Sequence, residues 1–261
     1  MIRGFYKASC LLGVNPLTTL RFLRGWPAFR RDWREYRRQT RGDSTFPPGR
    51  MYPCLLDRFT QSGVASGAYF HQDLLVARRV RARNPVRHVD VGSRVDGLVA
   101  HIASFREIEV LDIRALASKT PGIVFKQADL TGELPGGLVD YCDSLSCLHA
   151  LEHFGLGRYG DPVRHDGHLA GFANLHRILQ PGGVLYLSVP IGPQRVEFNA
   201  QRVFAVPYLL GMFKDLYEIG HFSFVDDAGN LHENVSLADA EAIHANFGCR
   251  LGCGIVEAVK R

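Results

Sequence analysis

The sequence predicts an α/β fold built on a doubly wound, mostly parallel sheet, preceded by a basic helical extension. Two observations carry the prediction. From residue 86 onward, short apolar runs of strand length alternate with segments of helical periodicity, the pattern of successive βαβ units that bind ligands at the carboxyl ends of their strands. The 261 residues are also 46% hydrophobic and 22% charged, with 27 Gly and 13 Pro, ordinary values for a globular chain that buries its core without a disulfide or metal staple. Disordered, collagen-like and disulfide-scaffold classes are excluded on that basis.

The first element is a helix in which Trp26, Phe29, Trp33 and Tyr36 recur at helical spacing beside a stripe of Arg30, Arg34, Arg37 and Arg41, with Pro27 suited to its first position. The stretch 41–67 is rich in Gly, Pro, Ser and Thr and reads as a linker, with a boundary near residue 60. A helix over 69–83, with Leu74, Leu75, Val76 and Val80 apolar, ends at Asn84-Pro85. A strand over 86–91, a helix over 95–105 and strands over 108–113, 123–127 and 138–144 follow. Next come a long helix ending at Leu179, a turn at Pro181-Gly182-Gly183, and a strand over 184–190. The chain closes with a strand over 216–225, a turn at Asp227-Ala-Gly-Asn230, a helix over 237–247 with Ser236 as N-cap, and a strand over 251–259.

Charge is distributed unevenly. Residues 1–60 hold 12 Lys+Arg against 4 Asp+Glu, a net of +8, and residues 61–261 hold 19 against 22, a net of −3, which together make the overall +5. A basic, aromatic, amphipathic helix suits the interface of an anionic membrane, each Arg adding about 1 kcal/mol, so residues 14–41 are a candidate membrane contact. Packing of the aromatic stripe on the main domain is the alternative. Nucleic acid is not an expected partner, because the basic residues are confined to one appendage and no zinc-finger, RNP or helix-turn-helix pattern accompanies them. The six cysteines, Cys10, Cys54, Cys142, Cys147, Cys249 and Cys253, form no C-x-x-C pair, which points to reduced thiols. The uncharged stretch 8–20 lacks the features of a signal peptide or membrane span, and a cytoplasmic location, peripheral at the inner membrane face, is expected.

Several motifs then narrow the fold. Asp90-Val-Gly-Ser-Arg-Val-Asp-Gly97 follows the first strand, Leu111-Asp112 ends the second, Ala128-Asp129-Leu130 follows the third, and Leu175-His-Arg-Ile-Leu-Gln-Pro-Gly-Gly183 precedes the fifth. With Asp140-Tyr-Cys-Asp-Ser144 and Leu151-Glu-His153 around the fourth strand, the set resembles a class I S-adenosylmethionine-dependent methyltransferase domain over most of residues 86–259. The run from His71-Gln-Asp-Leu74 to Gly97 resembles, more narrowly, a methyltransferase-like domain family of unknown function found among bacterial glycan-synthesis proteins. The resemblance implies a seven-stranded sheet in a methyltransferase-like domain over 61–261, after an extension and linker over 1–60.

The resemblance also implies roles. Asp112 would accept hydrogen bonds from the ribose hydroxyls, with Ile113 beside it, and Asp129 and Leu130 would flank the adenine. Asp90 would lie beneath the methionine portion, and Gly92, Ser93 and Gly97 would form the close-approach loop, since positions without a Cβ let backbone near the ligand. The usual loop reads D-x-G-x-G-x-G, whereas Arg94 and Asp96 stand at its second and third glycine positions, a departure that bears on S-adenosylmethionine binding more than on the fold.

Methyl transfer needs alignment above all, and an oxygen acceptor gains from a general base. His149 and His153, four apart with Glu152 between, would share a helical face at the active-site rim as a base and its orienting carboxylate, or simply line a helix. No metal is expected, because the pair lacks the H-E-x-x-H order. The long connection 191–214 reads as a substrate lid whose polar candidates are Glu197, Asn199 and Arg202, with His221 on the following strand. Tyr159, Asp161 and His165 are further rim candidates. Two functions follow: a methyltransferase acting on a sugar or lipid-linked glycan of bacterial surface polysaccharide, and a non-catalytic methyltransferase-like domain serving as a membrane-recruited scaffold or binding another nucleotide.

Overall fold

The computed structural model describes residues 15–41, 45–46 and 49–261; Cys10, residues 8–14 of the uncharged stretch, residue 14 of the candidate membrane contact, and part of the linker lie outside the described residues. Two compact units divide the chain between Val64 and Ala65.

In the first unit, helix α1 spans Pro16–Gln39. Asn15 caps it, its side-chain oxygen accepting from the backbone N–H groups of Leu17 and Thr18 at 3.1 Å each, and Pro16 occupies the first position, where a missing N–H costs nothing. Pro27, expected to open the helix, lies in its interior because the Asn15-Pro16 pair supplies the same start signal earlier. The aromatic stripe packs within its own unit: Phe29, Trp33 and Tyr36 line a groove with Gly25, Cys54, Leu55 and Arg58. Gly25 permits the crossing, since a Cβ there would stand 2.3 Å from the Leu55 carbonyl oxygen. Arg58 reaches Asp32 at 2.6 Å across the same groove. The large apolar side chains that α1 leaves exposed are instead Leu17, Leu20, Phe22 and Leu23, with Tyr36 at the groove edge.

The second unit is an α/β fold. Helix α2 (Ala68–Arg83) ends on Asn84 in the left-handed conformation, φ 47°. Strand β1 (His88–Val91) follows, then a π-turn over Val95–Val99 that runs into the short helix α3 (Ala100–Ala103) in place of the single helix expected. Strands β2 (Ile108–Asp112), β3 (Ile123–Gln127) and β4 (Cys142–Leu148) come next, then helix α4 (Gly167–Ile178) and strand β5 (Leu179–Ile191). The Pro181-Gly182-Gly183 turn sits inside β5 as an excursion in its register with β4, Gly182 taking φ 75°. The segment expected as a lid folds into a hairpin, β6 (Arg195–Glu197) and β7 (Gln201–Val203), and helix α5 (Val206–Phe213). Strands β8 (Tyr217–Val225) and β9 (Leu231–His232), helix α6 (Ala240–His244) and strand β10 (Gly252–Lys260) complete the chain. Asp239, not Ser236, caps α6 by accepting from the Ala242 N–H at 3.0 Å.

The sheet order is β3-β2-β1-β4-β5-β10-β8-β9. Strands β1 to β5 are parallel neighbours, and β10 runs antiparallel between β5 and β8. The eighth strand, one more than expected, is the two-residue β9, which the Asp226–Asn230 turn folds back onto β8. Both faces are buried, as a doubly wound sheet requires. On one face Leu75, Val76 and Val80 of α2 and Ile102 of α3 pack on Val110, Val184, Tyr186 and Ile255. On the other, Phe172, Leu175 and Ile178 of α4 and Leu209 and Phe213 of α5 pack on Val89, Leu145, Leu185, Leu187 and Val256.

Candidate active site

The strand order reverses between β1 and β4, and ligands of such sheets bind outside the carboxyl ends at that point. A cavity of about 480 Å³ opens there, in the size range of small-ligand sites. Its floor comes from the exits of the two strands, Val91-Gly92 and Leu148-His149-Ala150. Gly92 takes φ 71°, and a Cβ on it would stand 2.8 Å from the Ala150 side chain, so only glycine lets the two strand exits approach.

The neighbouring strand ends supply the acids. Asp112 and Ile113 after β2, and Asp129 and Leu130 after β3, all line the cavity. Asp129 accepts from the Thr131 N–H at 2.8 Å and hydroxyl at 2.7 Å through one oxygen. Asp112 is held by Arg114, whose Nε and Nη2 donate at 3.0 and 2.6 Å and whose backbone N–H donates at 2.7 Å.

Other expected members lie elsewhere. Asp90 is fully buried beneath the loop and does not line the cavity: it accepts from the Ser93 N–H (3.0 Å), the Ser93 hydroxyl (2.7 Å) and the Ser146 hydroxyl (2.5 Å). Burial pushes its carboxyl up to about 6 against those hydrogen bonds. Ser93 is thus a loop anchor. Gly97 packs on Asp73, whose carboxylate would stand 2.3 Å from a Cβ there. The two residues that replace loop glycines pair with each other, Arg94 donating to Asp96 at 2.9 and 2.6 Å. Arg94 lines the cavity with its guanidinium 5.6 Å from the Tyr69 ring centre, while Asp96 is exposed outside it.

His149 and His153 line the cavity, with Glu152 fully buried behind them. They do not share a helical face: His149 leaves β4 with φ 49°, and only the 3-10 turn Leu151–His153 follows. The Glu152 carboxylate approaches His149 Nδ1 at 3.0 Å and His153 Nε2 at 3.7 Å, without a well-directed hydrogen bond on either oxygen. Burial presses the His149 imidazole down, but the Cys253 thiol and Glu152 beside it outweigh burial and lift it well above the usual value. His153 behaves oppositely, burial holding it below the ordinary imidazole range. Its Nδ1 lies 2.7 Å from the Ala200 carbonyl oxygen. A carbonyl only accepts, so Nδ1 carries the proton and Nε2 of the neutral ring carries the lone pair. The carboxylate expected to orient the base therefore pairs with the other histidine.

None of the expected acceptor contacts reaches the cavity. Arg202 is buried and clamps the loop after β4, donating to the carbonyls of Glu152, Phe154, Arg164 and His165 at 3.3, 2.5, 3.2 and 3.2 Å. Glu197 pairs with Arg195 at 2.8 Å inside its hairpin, Asn199 is exposed in the β6–β7 turn, and His221 faces outward on β8. Gln201 is the hairpin residue that lines the cavity. The rim also holds Tyr159 and Asp161 but not His165, whose carbonyl is taken by Arg202, and it holds Arg158 and Tyr69, which sequence reasoning missed. Among the described residues no group of three or more His, Cys, Asp or Glu side chains is placed to hold a metal, and no helix is long and apolar enough to cross a membrane.

The family model described as "Caenorhabditis protein of unknown function, DUF268" matches residues 137–243, less than half of the chain and apart from the 71–97 run that carried the narrower resemblance. No curated protein matches. Among solved structures, the chain is similar to the cyclase SpnF, with 14% identity over 73% of this chain and 80% of that one, TM-score 0.50. It is likewise similar to the 1,6-didemethyltoxoflavin N1-methyltransferase of Burkholderia thailandensis, solved with bound 1,6-didemethyltoxoflavin and S-adenosylhomocysteine, with 16% identity over 72% of this chain and 78% of that one, TM-score 0.51. At such identities the likeness shows the fold, and that fold is the class I methyltransferase-like α/β architecture.

Proposed function

We propose that the chain is an S-adenosylmethionine-dependent methyltransferase. The observation that carries the reading is the convergence of Gly92, Asp112 and Asp129, from three successive strand ends, on one cavity. The residues present fit the cofactor: Gly92 offers bare backbone, Asp112 and Asp129 offer carboxylates for ribose hydroxyls and an adenine amino group, and Arg94 is drawn toward Asp96 and Tyr69. The bound cofactor would supply an electrophilic methyl group. The chain's own part is to hold both reactants in line and exclude water, and to accept the acceptor's proton at His153 Nε2. A sugar or lipid-linked glycan as acceptor belongs to the same proposal and rests on the sequence resemblance, as does work at an anionic membrane surface.

The Arg114 grip on Asp112 favours a second reading, a domain of this fold that binds no adenosyl group. Isothermal titration with S-adenosylhomocysteine separates the two. Micromolar binding that weakens at least about tenfold in Asp112→Ala, the loss of one or two charge-assisted hydrogen bonds, supports the methyltransferase. Absence of binding by the folded wild-type chain supports the second reading.

A further inference from the structure

We propose that the methyl acceptor is an anion, and that Arg158 holds its carboxylate or phosphate group at the mouth of the cavity. The inference rests on the methyltransferase reading, and its ground is that Arg158, alone among the arginines of the cavity wall, has no ion pair among the described residues.

Three arginines line the cavity: Arg94, Arg114 and Arg158. Two are neutralised locally, Arg94 by Asp96 and Arg114 by Asp112, both at 2.6 Å. Arg158 has no carboxylate within ion-pair distance among the described residues. The remaining acids of the wall do not pair with Arg158. Asp129 is turned to Thr131, and Asp161 accepts from the backbone N–H groups of Gly155, Gly157 and Tyr159 at 2.7, 3.4 and 3.3 Å.

Arg158 is also oriented in advance. Its Nη1 donates to the Ala200 carbonyl at 2.7 Å, the same oxygen that accepts from His153 Nδ1. The Tyr159 ring lies 5.2 Å from its guanidinium carbon and 4.4 Å from that of Arg114, with His153 edge-on to the ring at 5.4 Å. A guanidinium fixed at one nitrogen keeps its other N–H groups as a fork that matches carboxylate or phosphate. The same anchor ties the anion site to the base, because Arg158 and His153 meet at one carbonyl. An acceptor held by its charge at Arg158 is thereby brought to the His153 ring.

The test is an NMR titration of the full chain at constant ionic strength, with and without saturating S-adenosylhomocysteine. The probes are inorganic phosphate, acetate, and acetamide as the neutral counterpart of acetate. Saturable shifts of residues 153–159 by at least one anion are expected, with acetamide about tenfold weaker or worse, the share of one charge-assisted contact. Arg158→Gln weakens the anion about tenfold and Arg158→Lys less, whereas Arg81→Gln, an equal charge loss outside the cavity, changes nothing. Preference for phosphate points to a phosphorylated acceptor, and preference for acetate to a carboxylated one. Equal binding of acetate and acetamide, no binding of either anion at millimolar concentration, or parental affinity in Arg158→Gln overturns the proposal. If the anion binds through Arg158 but S-adenosylhomocysteine does not bind at all, the anion site stands and the methyltransferase reading falls; the converse removes this inference alone.

Discussion

Both carboxylate oxygens of Asp112 already accept from Arg114, so a ribose diol has to share or displace that guanidinium. Arg114 is about half exposed, with 48% of its side chain accessible, and water can solvate it once released. Such pairs contribute roughly 0–1 kcal/mol, less than a diol gains from a buried carboxylate. Arg114→Ala should therefore tighten S-adenosylhomocysteine about two- to fivefold by titration calorimetry, the range that a removed competitor of that strength allows. Weaker binding in the variant would mean that Arg114 holds the ligand instead. At this scale the sequence was legible where a residue's role is local: Gly92, Asp112 and Asp129 stand at strand ends, and each reaches the cavity directly. Arg158 and Tyr69 were not, because an exposed loop and the first turn of α2 bring them in through tertiary packing. Arg202 was a substrate-contact candidate on residue type, and only the folded loop shows that carbonyl oxygens take its donors.

Elements were read well where their faces were uniform and poorly where polarity hides inside. Strand β3 lies over the residues expected, whereas β4 lies over Cys142–Leu148 and not 138–144. The cause is a buried polar ladder: Ser144 and Ser146 pair in register with His88 and Asp90 of β1, and both serines are fully buried. His88 Nδ1 lies 2.7 Å from the Ser144 hydroxyl, and the Ser146 hydroxyl reaches Asp90 at 2.5 Å. A strand that buries Ser144 and Ser146 loses the apolar signal that marks its ends. In α1 the aromatic stripe is engaged with Leu55 and Arg58, which moves the membrane proposal to the exposed Leu17, Leu20 and Leu23, spaced three apart with Arg21 and Arg24 beside them. The triple change of those leucines to Ser should reduce co-sedimentation with anionic vesicles about as much as deletion of residues 1–41, while neutral vesicles bind neither protein. Equal partitioning of wild-type and triple variant would remove α1 as the membrane contact.

The same ladder and its neighbours make opposed contributions to how the whole molecule responds to acid. Burial pushes His88 down to about 3, against about 6.5 in an unfolded chain. Between those values the unfolded state binds a proton that the folded state refuses, so this residue lowers stability as pH falls from about 6.5 toward 3. Asp90 and Asp73 run the other way, each pushed up to about 6 chiefly by burial. Their unfolded values lie near 3.9, so the folded state holds the extra protons, and stability rises as pH falls from about 6 to 4. Each group contributes a slope of up to about 1.4 kcal/mol per pH unit. Two carboxyls outweigh one imidazole, so these three groups together add up to about 1.4 kcal/mol per pH unit as pH falls from about 6 to 4, and below 4, where of the three only His88 still titrates, their contribution falls again. Two variants separate the parts, because differences from wild type cancel every group they share. By urea denaturation, the stability deficit of His88→Asn should shrink by more than about 1 kcal/mol between pH 6.5 and 4.5, since wild type loses what the variant cannot. Asp90→Asn should trend oppositely, losing ground to wild type as pH falls from 6 to 4 and wild-type Asp90 takes up its proton. Parallel profiles for either variant would mean that its residue is not held in the buried, neutralised state that the β1–β4 pairing imposes.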